Sequence, residues 1–90
     1  MKEQEHTLED RLHDIGVDDA LLMDGFDCCV VGVLERYGMA SVVLYDKEKV
    51  LEKLVEDGCE TYEDAIEYYE FNQLGGWHGE LTPGFLVRLL

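Results

Sequence analysis

The chain has 90 residues and carries 21 acidic against 7 basic side chains, a formal net charge of -14. A magnitude of about 2 to 8 is usual for a small domain, so nucleic acid and anionic membranes are disfavoured as direct partners, and basic protein surfaces, basic peptides and metal cations are favoured. Hydrophobic residues make up 47% of the chain, an ordinary share for a globular protein, which argues against a disordered polyelectrolyte and for one small domain over residues 1–90 with little room for both a core and a buried active site.

The opening stretch MKEQEHTLEDRLHD has no apolar run of the kind a signal peptide needs, and nothing approaches the about 20 apolar residues of a membrane span, so a cytoplasmic location is expected. In TLEDRLHDIG, Thr7 with Asp10 three residues on is a helix start; Leu8, Leu12 and Ile15 share a face, and Gly16 ends it. Ala20 to Met23 read as one helical turn running into the Asp24-Gly25 turn. CCVVGVLER and ASVVLY, joined by YGM, read as a β-hairpin. Asp46 caps a helix whose Val50, Leu51, Leu54 and Val55 share a face, ending at Gly58. Thr61 and Asp64 open another, with Tyr62, Ala65, Ile66 and Tyr69 at helical spacing, stopped by Gly75-Gly76. After the Thr82-Pro83-Gly84 turn, FLVRLL is a candidate third short strand. The fold class expected is α+β, a small antiparallel sheet packed against two to three helices. No linker or repeat marks a second domain.

The chemistry concentrates in the second half. Glu60, Glu63, Glu67 and Glu70 follow helical spacing and form one acidic stripe, extended by Glu56, Asp57 and Asp64, and residues 56–70 contain no Lys or Arg. Like charges three and four apart cost a few tenths of a kcal/mol per pair when nothing neutralises them. The pattern suits either a solvated face or a row of fixed negative charges imitating nucleic acid in a groove lined by Lys and Arg. The helical wheel carries Phe71 in among these glutamates, where it is an interface anchor unless the end of the helix turns the ring into the core. Trp77, in the loop after Gly75-Gly76, has the same two readings.

Asp24, Asp27, Asp46, Glu70 and Glu80 sit at loops and element ends and are the candidate carboxylates for Mg²⁺ or Ca²⁺, although DGFD lacks the remaining ligands of an EF-hand loop. His6, His13 and His78 are far apart, and no spacing pairs His78 and Glu80 with Cys28 or Cys29 as base and nucleophile. GGWHG lacks a P-loop lysine. No cofactor and no catalytic residue is expected, and no metal site is assigned. Cys28, Cys29 and Cys59 are an odd number of thiols, expected as free cysteines rather than a disulfide framework. Cys59, after Gly58 in an acidic turn, is expected to be the most exposed, able to hold a homodimer through an intermolecular disulfide, with one of Cys28 and Cys29 facing the core.

In GFDCCVVGVLERYG, VVLYD, AIEYYEFN and GGWHGELTPGFL the chain resembles a family of short hypothetical proteins encoded in tailed-bacteriophage and prophage genomes, over residues 24–86. Gly75, Trp77, Gly79, Glu80, Thr82 and Pro83 match that family's final turn, while Cys28 stands where it commonly has an acidic residue. The resemblance implies a phage accessory protein acting in the cytoplasm of an infected bacterium. In size and charge the chain is also similar to anti-CRISPR proteins. The resulting expectation is a non-catalytic inhibitor of host defence. It would present Glu56, Glu60, Glu63, Asp64, Glu67, Glu70, Phe71 and Trp77 to a basic surface of a CRISPR effector complex or another nucleic-acid-binding protein, with no direct nucleic-acid or membrane contact. The alternative is a phage accessory protein, or a metal-dependent enzyme, using Asp24, Asp27, Asp46 and Glu80.

Overall fold

Helix α1 (Leu8–Asp14) begins where the Thr7 hydroxyl accepts from the Asp10 amide at 3.1 Å and the Asp10 carboxylate accepts from the Thr7 amide at 3.3 Å. These reciprocal bonds satisfy two donors that a helix start otherwise leaves orphaned. The structure, a computed structural model, describes residues 7–76 and 78–89. Leu12 of α1 is buried and Leu8 packs beside it, but Ile15, expected on the same stripe, lies past the end of the helix and is exposed.

Residues 17–23 form no helical turn. Tertiary bonding replaces the local one: the Met23 amide donates to the Tyr45 hydroxyl at 2.7 Å, and Leu22, Met23 and Phe26 pack on the core as an irregular segment. A short 3-10 turn, Asp27–Cys29, then leads into the hairpin, so the two adjacent cysteines precede the strand.

Strand β1 (Val30–Arg36) pairs antiparallel with β2 (Met39–Asp46) through a turn at Tyr37-Gly38, where Gly38 has φ +75. That left-handed conformation costs a β-carbon-bearing residue energy and glycine none. Asp46 ends β2 and starts α2 (Lys47–Asp57) in one step, its Oδ1 accepting from the Glu48 amide at 2.9 Å and the Lys49 amide at 3.3 Å. A cap of this kind contributes about 0.5–2 kcal/mol. Helix α3 (Tyr62–Tyr68) starts the same way, with the Thr61 hydroxyl accepting from Asp64.

The third strand expected at the C-terminal end is present as β3 (Gly84–Leu86), and it lies beside β2 in parallel, with Tyr45 opposite Phe85 and Asp46 opposite Leu86. The fold is α+β, as expected, with a mixed sheet in the order β1-β2-β3. Parallel neighbours need a long crossover, and α2, α3 and the turn after them supply it. The core lies between the sheet and the helices: Leu12, Cys29, Val43, Tyr45, Val50, Leu51, Leu54, Ala65 and Tyr69 are buried together. Val55 and Tyr62, at the margins of the predicted apolar faces, are partly exposed, and Tyr62 donates across to Glu48 at 3.0 Å, joining α3 to α2. No helix among the described residues is long and apolar enough to cross a membrane.

Candidate interaction face

The acidic row is built by the way α3 ends. After Tyr68 the backbone widens into a π turn, Tyr69–Leu74, closed by the Gly75 amide donating to the Glu70 carbonyl at 3.0 Å. A β-carbon on Gly75 would stand 2.8 Å from that same carbonyl oxygen, so the close approach needs glycine. Tyr69, four residues after the buried Ala65, continues the apolar stripe of α3 into the core, and Phe71 goes outward, on the side of the glutamates. Tyr69 is 2% exposed and meets Phe85 edge-to-face at 5.1 Å, whereas Phe71 is 79% exposed. The end of the helix therefore does not turn the Phe71 ring into the core.

Glu60, Glu63, Asp64, Glu67 and Glu70 are all exposed, as is Glu56 in the last turn of α2. Glu63 and Asp64 occupy the first turn of α3, where the helix dipole favours negative charge. The ion pair nearest this face is Lys53 with Asp57 at 3.1 Å, which neutralises Asp57 and leaves the glutamates of α3 with no ion-pair partner among the described residues. Glu60 lies in the bend before α3, so the helix itself carries Glu63 and Glu67, and Glu70 sits in the π turn. Asp64, Glu67, Tyr68, Phe71 and Asn72 line a surface groove with Cys59. Trp77 and His6 lie outside the described residues.

Cys59 is half-buried against the core, and Cys28 is the exposed thiol. The expected order is reversed because the chain folds Cys59 back under α2, its amide donating to the Leu54 carbonyl at 3.0 Å. Cys29 faces the core, as one of the adjacent pair was expected to. Burial, helped by a 3.9 Å hydrogen bond with Cys28, pushes its thiol up to about 12.

The four carboxylates of the metal reading are not brought together as free ligands. Asp46 is buried, caps α2 and accepts from Arg88 Nε at 2.7 Å, while Asp24 and Glu80 lie exposed in turns and Asp27 is exposed at the start of the 3-10 turn. Among the described residues no three His, Cys, Asp or Glu side chains are grouped to hold an ion. His78 opens onto a cavity that neither Cys28 nor Cys29 lines, and its amide donates to the Thr82 hydroxyl at 2.8 Å.

Comparison with protein-family models, with curated proteins and with solved structures gave no match to this chain. Two features of the face escaped sequence reasoning, the π turn and the cavity beside it. Gly75-Gly76 signalled only that a helix stops, and the cavity is assembled from segments about 50 residues apart.

Proposed function

We propose that the protein is a non-catalytic binding protein that docks its acidic α3 face on a basic, nucleic-acid-binding surface of another protein. The observation that carries the reading is the exposed row Glu60, Glu63, Glu67 and Glu70 ending in the exposed ring of Phe71. The two members of the row on the α-helix itself, Glu63 and Glu67, have β-carbons about 5 to 6 Å apart, and with Glu60 and Glu70 at its ends the row offers Lys and Arg side chains built for phosphates a set of carboxylates to bind instead. An aromatic ring at the edge of such a row adds the apolar contact that interface hot spots use. The phage resemblance makes a CRISPR effector complex of the bacterial host the first target to test, with inhibition by occupying its nucleic-acid groove.

A competition assay decides it. Fluorescent DNA bound to host CRISPR effector complexes should be displaced by the wild-type protein. A variant carrying Glu63→Gln, Glu67→Lys and Glu70→Lys should fail while melting normally. Glu63 takes Gln because Lys in the first turn of a helix opposes the dipole by about 0.3–1 kcal/mol. Association should slow steeply with salt, since steering fields are screened over about 8 Å at physiological ionic strength. A folded triple variant that displaces DNA as well as the wild type reduces the row to a solvated face.

A further inference from the structure

Strand β1 is a free edge of the sheet. The order β1-β2-β3 leaves it one neighbour, and among the described residues nothing but β2 bonds to the backbone of residues 31–36. Such an edge is a row of unpaired amides and carbonyls that another strand can join, and proteins usually guard it with lysine, proline or a covering element. β1 has neither lysine nor proline, and its two charges, Glu35 and Arg36, stand together at its end.

Along this edge runs a groove of about 640 Å³, with residues 30–33 of β1 on one side and Leu8, Leu12 and Ile15 on the other. Successive side chains of a strand point to opposite faces, so four consecutive residues line one groove only where it follows the strand's edge. Ile15, 63% exposed past the end of α1, and Val31, 37% exposed, are its uncovered apolar walls. At the Val30 end the groove shares Asp27 and Cys28 with a second hollow, whose lining includes Glu9 and Asp24 and, among the described residues, no Lys or Arg. That end is acidic. The other end of β1 carries Arg36, exposed and without an ion-pair partner among the described residues.

The pairing of β1 with β2 slips between Val30 and Gly32 and again between Leu34 and Arg36, so the regular part of the strand is residues 32–34, centred on Val33. An antiparallel copy of β1 laid on this edge with Val33 opposite Val33 matches regular stretch to regular stretch and sets one irregularity, Val31, opposite the other, Glu35. The same register puts Arg36 of the second copy opposite Val30, beside the turn that carries Asp27 and at the acidic end of the groove. Glu35 of the second copy enters the groove that Arg11 also lines. A two-fold contact repeats both pairings at its other end. A parallel copy would instead set Arg36 against Arg36 and Asp27 against Asp27.

We infer that β1 is the interface of a homodimer, in which two copies pair antiparallel about Val33 into one six-stranded sheet. The occupant of the groove is a second copy because the strand that suits it, apolar along its length with a cation at its C-terminal end, is β1 itself. The inference does not depend on the docking reading, and it gives each particle two acidic α3 faces. The contact is non-covalent, since its register sets Cys28 opposite Gly38 and the two Cys28 thiols at opposite ends of the ladder.

The test is sedimentation equilibrium of the full protein with a reducing agent at physiological salt, where repulsion between chains of charge -14 is screened over about 8 Å. The mass should rise with concentration from one chain to two. Arg36→Asp and Asp27→Arg, both at exposed positions, should each weaken the dimer about tenfold, and the two combined should restore it, because opposite charges again meet across the contact. Amide hydrogen exchange of the wild type needs no variant to fold: protection that grows with concentration should fall on residues 31–36. A protein that stays monomeric at every concentration its solubility allows overturns the pairing. So does an assembly indifferent to Arg36→Asp, a double variant no tighter than the single ones, or concentration-dependent protection that falls on α3 or β3 instead.

Discussion

Arg88 donates from Nε to Asp46 Oδ2 at 2.7 Å, joining groups 42 residues apart in sequence, with the aspartate side chain 2% exposed and the arginine 52%. The bond ties the chain after β3 to the point where β2 becomes α2. It is the tertiary clasp of the parallel strand pair, and it explains why a carboxylate is tolerated at the end of the central strand: its remaining acceptor capacity is filled by the Glu48 and Lys49 amides.

Arg88→Ala should lower stability by about 1.5–3 kcal/mol, the worth of a hydrogen bond to a charged group, with half-exposure of the arginine pulling the value toward the lower end. The Arg88 bond holds the Asp46 carboxyl below its ordinary 3.8, against the opposing effect of burial. A carboxyl depressed in the folded state contributes stability that is full above its unfolded value and is lost as pH falls through the folded one. Wild type and variant should therefore differ most in chemical denaturation above pH 3.8 and converge in stronger acid. A constant difference down through that range would remove Asp46 as the group responsible.

Thiol labelling should follow burial. At pH 8 Cys28 should react first with iodoacetamide, Cys59 slowly, and Cys29 only on unfolding, since the thiolate is the nucleophile and the Cys29 thiol is pushed up to about 12. Peptide mass spectrometry reads the order directly. A covalent dimer formed on oxidation should disappear in Cys28→Ser and survive in Cys59→Ser.

Tyr69 and Phe71, two positions apart, should behave oppositely. Tyr69→Ala removes a buried ring with its edge-to-face contact on Phe85 and should cost about 3–5 kcal/mol. Phe71→Ala, on an exposed ring, should stay within about 0.5 kcal/mol in stability and lose partner binding. Melting and DNA displacement measured on the same two proteins check both halves. Equal destabilisation by the two would assign Phe71 to the core and remove it from the interaction face.

His13 should titrate above its ordinary 6.5, because its ring is hydrogen-bonded to Asp18 at 2.6 Å and that carboxylate favours the protonated form. The folded value being raised, this contact stabilises the fold fully below 6.5 and ceases to do so as pH rises through the folded value. An imidazole NMR titration should show the curve of Asp18→Asn moved down toward 6.5. Superimposable curves would mean the pair does not form in solution.

The sequence alone was enough for what neighbouring residues decide. Thr7, Asp46 and Thr61 start helices through hydroxyl or carboxylate bonds to amides two or three positions on; β-branched runs on either side of Tyr37-Gly38 make the hairpin; and the -14 charge with its lysine-free acidic stretch is a matter of counting. All of these interactions close within a turn of helix or across one hairpin, so period and caps reveal them. Only the tertiary structure decided the rest. The parallel docking of β3, the commitment of Asp46 to Arg88 instead of to a metal, and the replacement of a helical turn at Met23 by a bond to Tyr45 each join partners more than 20 residues apart. No local pattern records such partners. The half-burial of Cys59 belongs with them in part: the bond from its amide to the Leu54 carbonyl is local, but the core packing that covers its side chain, and so leaves Cys28 as the exposed thiol, exists only once sheet and helices have come together.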